Sequence, residues 1–172
     1  MDDTLATRRR ELQAFGAHFD YDVTYLERLM DAAPEAYLAF ADAQPLGRRR
    51  AALLPEAHAV ACTAVMLHDD CGACAQLNLR MAVEAGVDRA LLQTMLDRPE
   101  DLPGPLHDVF EHARQVVRGS DPDPERVERL RQHLGEAAFG ELAATITGAR
   151  IYPTMKRALG TTTTCRRPTL DF

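Results

Sequence analysis

The chain contains no tryptophan, and aromatic residues fill only 6% of its 172 positions. A core with so few rings must be built mainly from Leu, Ala, Val and Met, which suits close-packed helices. Lysine is almost missing. Lys156 is the only one, set against an otherwise all-arginine basic complement, a compositional habit that carries no functional expectation. No stretch approaches the ~20 uninterrupted apolar residues of a membrane span. Met1-Asp2-Asp3-Thr4 leads into Arg8-Arg9-Arg10 with no following hydrophobic segment, so no signal peptide is visible. These absences point to a cytoplasmic protein with no membrane partner. The net charge of −6 argues against nucleic acid as the main partner.

What is present is ordinary for a globular domain. Hydrophobic residues make up 46% and charged residues 27%. A length of 172 residues suits one all-α domain with a sizeable core, spanning residues 1–172. Strand-like alternation of Val, Ile, Thr and aromatics is not found, and no repeat of fixed period occurs. Proline and glycine punctuate a series of helices. A short first helix covers Ala6 to Phe15, and Asp22 caps a second from Val23 to Ala33. Pro34 opens a third, to Ala43, and Gln44-Pro45-Leu46-Gly47 is a turn.

Pro55 opens a central helix to Leu67 that is apolar on most sides, hence buried. A second central helix starts near Cys71 and ends at Gly86. Asp88 caps the next, through Met95, and residues 99–105 form a connector. Leu106 to Val117 is amphipathic, Asp123 caps Glu125 to Leu134, and the last helix runs from Glu136 to Leu159 with Pro153 as a bend candidate. Residues 160–172 read as an irregular tail.

The chemistry concentrates in His68-Asp69-Asp70-Cys71-Gly72-Ala73-Cys74-Ala75-Gln76-Leu77-Asn78. Two thiols three positions apart on a helical turn bring their Cα atoms to roughly 5–6 Å, inside the disulfide range. A helix start at Cys71 favours their thiolates, because the free N–H groups and dipole stabilise an anion there. Three readings stay open: a redox dithiol, inert structural cysteines, or a metal pair. An isolated pair suits metal poorly, since structural zinc takes four closed ligands. In a reducing compartment a CxxC is catalytic or metal-binding more often than structural. No cofactor and no metal are expected.

The run Cys71-x-x-Cys74-x-x-x-Asn78, followed by Ala82, Gly86 and Val87, resembles the AhpD-like, carboxymuconolactone decarboxylase family. Its signature is a CxxC at a helix start, a His four residues after the second Cys, and an Ala-x-x-x-Gly ending. The segment Tyr152-Pro153-x-x-Lys156-Arg157-Ala158-Leu159-Gly160, with Cys165 beyond it, looks like one found in uncharacterised members. The resemblance covers residues 55–96, and the rest only through its helical character. It implies an AhpD-like helical bundle, a homo-oligomer (trimer or hexamer) and a thiol–disulfide oxidoreductase of the alkylhydroperoxidase type. Cys74 would attack a peroxide or a partner disulfide, and Cys71 would resolve the product. A lipoyl group or thioredoxin-like protein would act as dithiol reductant.

Two departures predict weak activity. The family's proton relay pairs the His with a Glu twelve residues before the first Cys, and those positions hold Asn78 and Ala59. Asn cannot take a proton. His58 and His68 are the nearest substitute bases, while Asp69 and Asp70 oppose thiol ionisation. The alternatives are a non-catalytic helical assembly protein with a vestigial CxxC, or a lyase of the decarboxylase branch, which typically lacks a CxxC.

Each singled-out residue also has a plain structural reading. His58 reads as a hydrogen-bonded core histidine, His68 as a partner of its helix dipole, and Asn78 as a donor to a backbone carbonyl. Cys62 reads as a small core residue. Cys165 is incidental, His107, His112 and His133 are surface residues, and the arginine runs at 8–10 and 48–50 are solvated faces.

Overall fold

Prolines at first helical turns and residues of positive φ set most of the element boundaries. The structure, a computed structural model, describes residues 2–161 and 167–172. Among them are nine α-helices and no strand: α1 (Asp2–Phe19), α2 (Thr24–Ala32), α3 (Pro34–Ala43), α4 (Pro55–His68), α5 (Gly72–Glu84), α6 (Arg89–Asp97), α7 (Gly104–Val117), α8 (Pro124–Leu134) and α9 (Glu136–Ala158). The all-α class read from the sequence is the observed one. Short 3-10 turns at Gln44–Gly47 and Pro99–Asp101 complete the chain path. No described helix is long and apolar enough to cross a membrane. Cys165 lies outside the described residues.

The central helix is α4, which packs against α5, α7 and α9. Residues Ala57 and Ala59 through Met66 are all buried, so it has no solvent face over that stretch. Val60 and Val65 have no exposed surface. Burying a side chain of that size contributes about 1.5–3 kcal/mol. Tyr25, Leu26, Leu29, Met30, Tyr37 and Phe40 form a second cluster on α2 and α3. It leans on Ile151, Tyr152 and Met155 of α9, so α9 joins the two clusters.

Polar clamps tie the surface layers to this core. Asp108 of α7 takes a bidentate pair from Arg129 of α8, at 2.9 and 2.8 Å. Glu141 of α9 accepts the backbone N–H groups of Ala51, Ala52 and Leu53, which fixes the approach to α4. Gly47 and Gly148 meet backbone to backbone: a Cβ on Gly148 would stand 2.2 Å from the Gly47 nitrogen.

Four details differ from the sequence reading. Helix α1 is longer at both ends. It passes Gly16 and ends where Asp20 adopts φ 48°, with the Tyr21 N–H closing back on the Gly16 carbonyl at 2.8 Å. This is a six-residue C-terminal closure built on an aspartate, so no glycine marks it. Val23, not Asp22, is the N-cap of α2, and the Asp22 carboxylate instead accepts from the Thr24 N–H and hydroxyl. Helix α7 begins at Gly104, ahead of the expected Leu106, because Pro105 is tolerated in a first turn. His112 is not a surface residue. It is buried against Phe139 of α9, 5.8 Å between ring centroids, and burial lowers its pKa.

Candidate functional site

The turn between α4 and α5 is three residues, Asp69 to Cys71. Asp70 takes φ 51°, and the Cys71 N–H closes α4 by bonding the Met66 carbonyl at 3.0 Å. The Cys71 carbonyl already accepts from Ala75, so Cys71 is also the N-cap of α5. Cys74 therefore sits in the first turn, among the free N–H groups of the helix start. Cys71 and Cys74 form a disulfide with Cα atoms 5.3 Å apart. Each residue is only 1% exposed.

The Cys74 side opens on a cavity of about 280 Å³, mostly apolar, whose polar lining includes Tyr21, Tyr25, His58, Asn78 and Tyr152. Cys62 also faces it. The Tyr21 hydroxyl lies 4.0 Å from the Cys74 sulfur and 3.5 Å from the Tyr25 hydroxyl. Arg48 stands exposed at the rim, its guanidinium 5.2 Å from the Phe15 ring centroid and 5.8 Å from that of Tyr152. The solvated face expected for residues 48–50 thus doubles as a cover for the cavity.

The two candidate bases part company. His58 lines the cavity, but its Nε2–H donates to the Gly47 carbonyl at 2.9 Å. Burial lowers its pKa, so the ring is neutral at pH 7. The neighbouring Cys62 sulfur, 3.8 Å from Nε2, is pushed up to about 12 by burial and stays a thiol. His68 is exposed at the end of α4 and is not among the cavity residues. Asn78 is committed as well: its Nδ2 donates to the Ala59 carbonyl at 3.1 Å and to the Thr63 hydroxyl at 2.5 Å. The structure thus brings His58, Asn78 and Cys74 to one cavity and leaves His68 outside it.

One of the two acids before the dithiol faces a cation. Buried Asp69 faces the Arg150 guanidinium at 3.6 Å, and Arg157 donates to the Asp69 carbonyl. The sequence reading missed Tyr21, Tyr25 and Lys156. Lys156 is 6% exposed, with Nζ 4.4 Å from the Tyr21 ring centroid and 4.8 Å from that of Tyr25. Burial brings its pKa down to about 8, with Asp22 opposing the shift. Burial also pushes the Tyr21 hydroxyl up to about 12 and raises that of Tyr25. The usable signal was the solitary lysine inside the Tyr152–Gly160 segment.

Among the described residues, no group of three or more His, Cys, Asp or Glu is placed to hold a metal ion. No family model, curated protein or solved structure matches the chain.

Proposed function

We propose that the protein is a thiol–disulfide oxidoreductase of the alkylhydroperoxidase-like type, working through Cys71 and Cys74. The observation that carries this is the Cys71–Cys74 disulfide at the start of α5, with Cys74 against an apolar cavity. A reversible dithiol needs two sulfurs within bonding reach, a positive local potential and a route for the oxidant. The turn supplies the first, the helix N-terminus the second and the cavity the third.

In the reduced form the Cys74 thiolate attacks the distal oxygen of a hydroperoxide. The O–O bond breaks, the alkoxide leaves with a proton as an alcohol, and Cys74 becomes a sulfenic acid. The Cys71 thiol displaces hydroxide from that sulfur, giving the disulfide and water. A dithiol donor then attacks the disulfide; it leaves oxidised, and two thiols are regenerated. With both cysteines nearly fully buried, a slender arm such as a lipoyl group reaches them more readily than a folded thioredoxin-like surface.

The AhpD-like resemblance supports the same reading. Positions 59 and 78, which it assigns to the relay, are in hydrogen-bond contact here through Ala59 and Asn78. Neither side chain can accept the thiol proton, so turnover is slower than a relay would allow by roughly 10²–10⁴-fold. A trimeric or hexameric assembly accompanies this proposal and is tested by sedimentation at micromolar concentration. The decisive assay is hydroperoxide consumption with a panel of dithiol donors, comparing wild type with Cys71→Ser and Cys74→Ser. Turnover lost in both variants supports the reading. A wild type that consumes no peroxide and exchanges with no dithiol favours a non-catalytic helical protein.

A further inference from the structure

We propose that Tyr21 donates a hydrogen bond to the Cys74 thiolate in the reduced protein, and that Lys156, stacked on the rings of Tyr21 and Tyr25, is the positioning residue that carries the compensating positive charge. This rests on the dithiol reading above and adds two residues, 135 positions apart, to its machinery.

The placement of Tyr21 is built, not incidental. The loop that carries it is held from the dithiol helix itself: Arg80 of α5 donates to the Phe19 carbonyl, to the Asp20 carbonyl at 3.1 Å and to the Asp20 carboxylate at 2.9 Å. The Tyr21 backbone closes α1, and its hydroxyl ends 4.0 Å from the sulfur. That is a long contact to a disulfide sulfur, which is a poor acceptor. A thiolate is a far better one and draws the hydroxyl in.

Lys156 is an odd choice for an interior. Among the described residues it forms no ion pair. Asp22 acts on it through space and is itself bonded to Thr24. A buried ammonium on two tyrosine rings is stabilised by their π-faces, and it makes a ring's hydroxyl a stronger donor. In the disulfide form no described acid pairs with it directly, and Asp22 acts on it only through space. Reduction adds two electrons and two protons to the disulfide; Cys74 then releases its proton to solvent, and its thiolate supplies the missing negative charge.

The titratable groups that share the cavity with Cys74 do not supply this charge. From α4, His58 is neutral and Cys62 is a thiol at pH 7. From α9, burial raises the Tyr152 hydroxyl. In the α4–α5 turn Asp69 faces Arg150, and Glu11 and Arg48 at the rim are exposed. Lys156 is buried and does not line the cavity; it reaches Cys74 through the Tyr21 ring, 4.4 Å from its Nζ, whose hydroxyl lies 4.0 Å from the sulfur.

The test is the pH dependence of iodoacetamide alkylation at Cys74, followed by peptide mass spectrometry on the reduced protein. Wild type, Tyr21→Phe, Lys156→Met and Lys156→Arg are compared. Wild type should inflect well below the free thiol value of about 8.5. Tyr21→Phe and Lys156→Met should each raise the inflection by about one to two pH units, a 10- to 100-fold loss of thiolate. Lys156→Arg, which keeps the charge and the stacking, should recover most of that loss. A low wild-type inflection that neither variant moves overturns this inference and leaves the dithiol reading intact. A wild-type inflection at or above 8.5 overturns both. If Lys156→Met does not fold, Tyr21→Phe, which keeps the ring and loses only the hydroxyl, decides alone.

Discussion

The Asn78 side-chain nitrogen donates to the Ala59 carbonyl at 3.1 Å, so the dithiol helix is pinned to the central helix one turn past Cys74. The same nitrogen reaches the Thr63 hydroxyl, and Thr63 is fully buried. Both hydrogens of the amide are spent on structure.

Asn78→Ala should therefore cost about 1–3 kcal/mol, because it removes two buried hydrogen bonds between the dithiol helix and the central helix. Urea denaturation at constant slope measures this. Asn78→His carries a similar stability cost but places a proton acceptor one turn from Cys74. Its rate of hydroperoxide consumption should exceed that of wild type.

Gly148→Ala should be among the most damaging single-methyl changes in the chain. The added carbon would stand 2.2 Å from the Gly47 nitrogen and 2.3 Å from its Cα, so backbone must move. Overpacking of this kind costs about 1–3 kcal/mol or more. The Gly47 carbonyl also anchors His58, so the cavity wall shifts with it. Thermal melts of Gly148→Ala and Gly140→Ala make the control, since a Cβ on Gly140 meets nothing within 4 Å.

Lys156→Met should make the oxidised protein more stable at pH 7 while impairing the reduced thiol. The folded pKa of Lys156 is about 8 against 10.5 for the free side chain. Between those values the unfolded chain binds more protons, so the wild-type term becomes more favourable as pH rises through the window. Below pH 8 the cost of burying the charge is present in full. The advantage of the Met variant should be largest there and should shrink from pH 8 to 10.5. An advantage independent of pH would mean that packing, not charge, sets the difference.

Much of the fold was legible because its punctuation is chemical and local. Pro34 and Pro55 open helices where they stand, Asp88 caps α6 through the Ala90 N–H, and Gly86 takes positive φ after α5. The end of α1 was not legible, since Asp20 does there what a glycine usually does. The dithiol was read from the cysteine spacing, and its position in the first turn from the apolar pattern that ends at Gly86. Tyr21 and Lys156 were not, because their meeting depends on α9 returning past the α1–α2 loop, and no local pattern encodes that return. His58 illustrates a third case: its presence near the site was readable, but the Gly47 carbonyl that occupies its Nε2–H comes from a separate turn.

That bond leads to a further expectation. His58→Gln should change hydroperoxide turnover by less than about threefold, well short of the 10²–10⁴ that a general base contributes. His68→Gln, at an exposed residue outside the cavity, should change it even less. Steady-state kinetics of both variants, with circular dichroism to confirm folding, measures this. A hundredfold loss in either would assign it the proton-accepting role.

The most direct measurement is a single turnover. Fully reduced protein is mixed with one equivalent of an alkyl hydroperoxide, and the products are counted by thiol titration and peptide mapping. Two thiols should disappear per peroxide consumed, one alcohol should form, and the new link should join Cys71 to Cys74 with Cys62 left free. Unconsumed peroxide with the thiols intact, or oxidation that falls mainly on Cys62, would contradict a redox role for this pair.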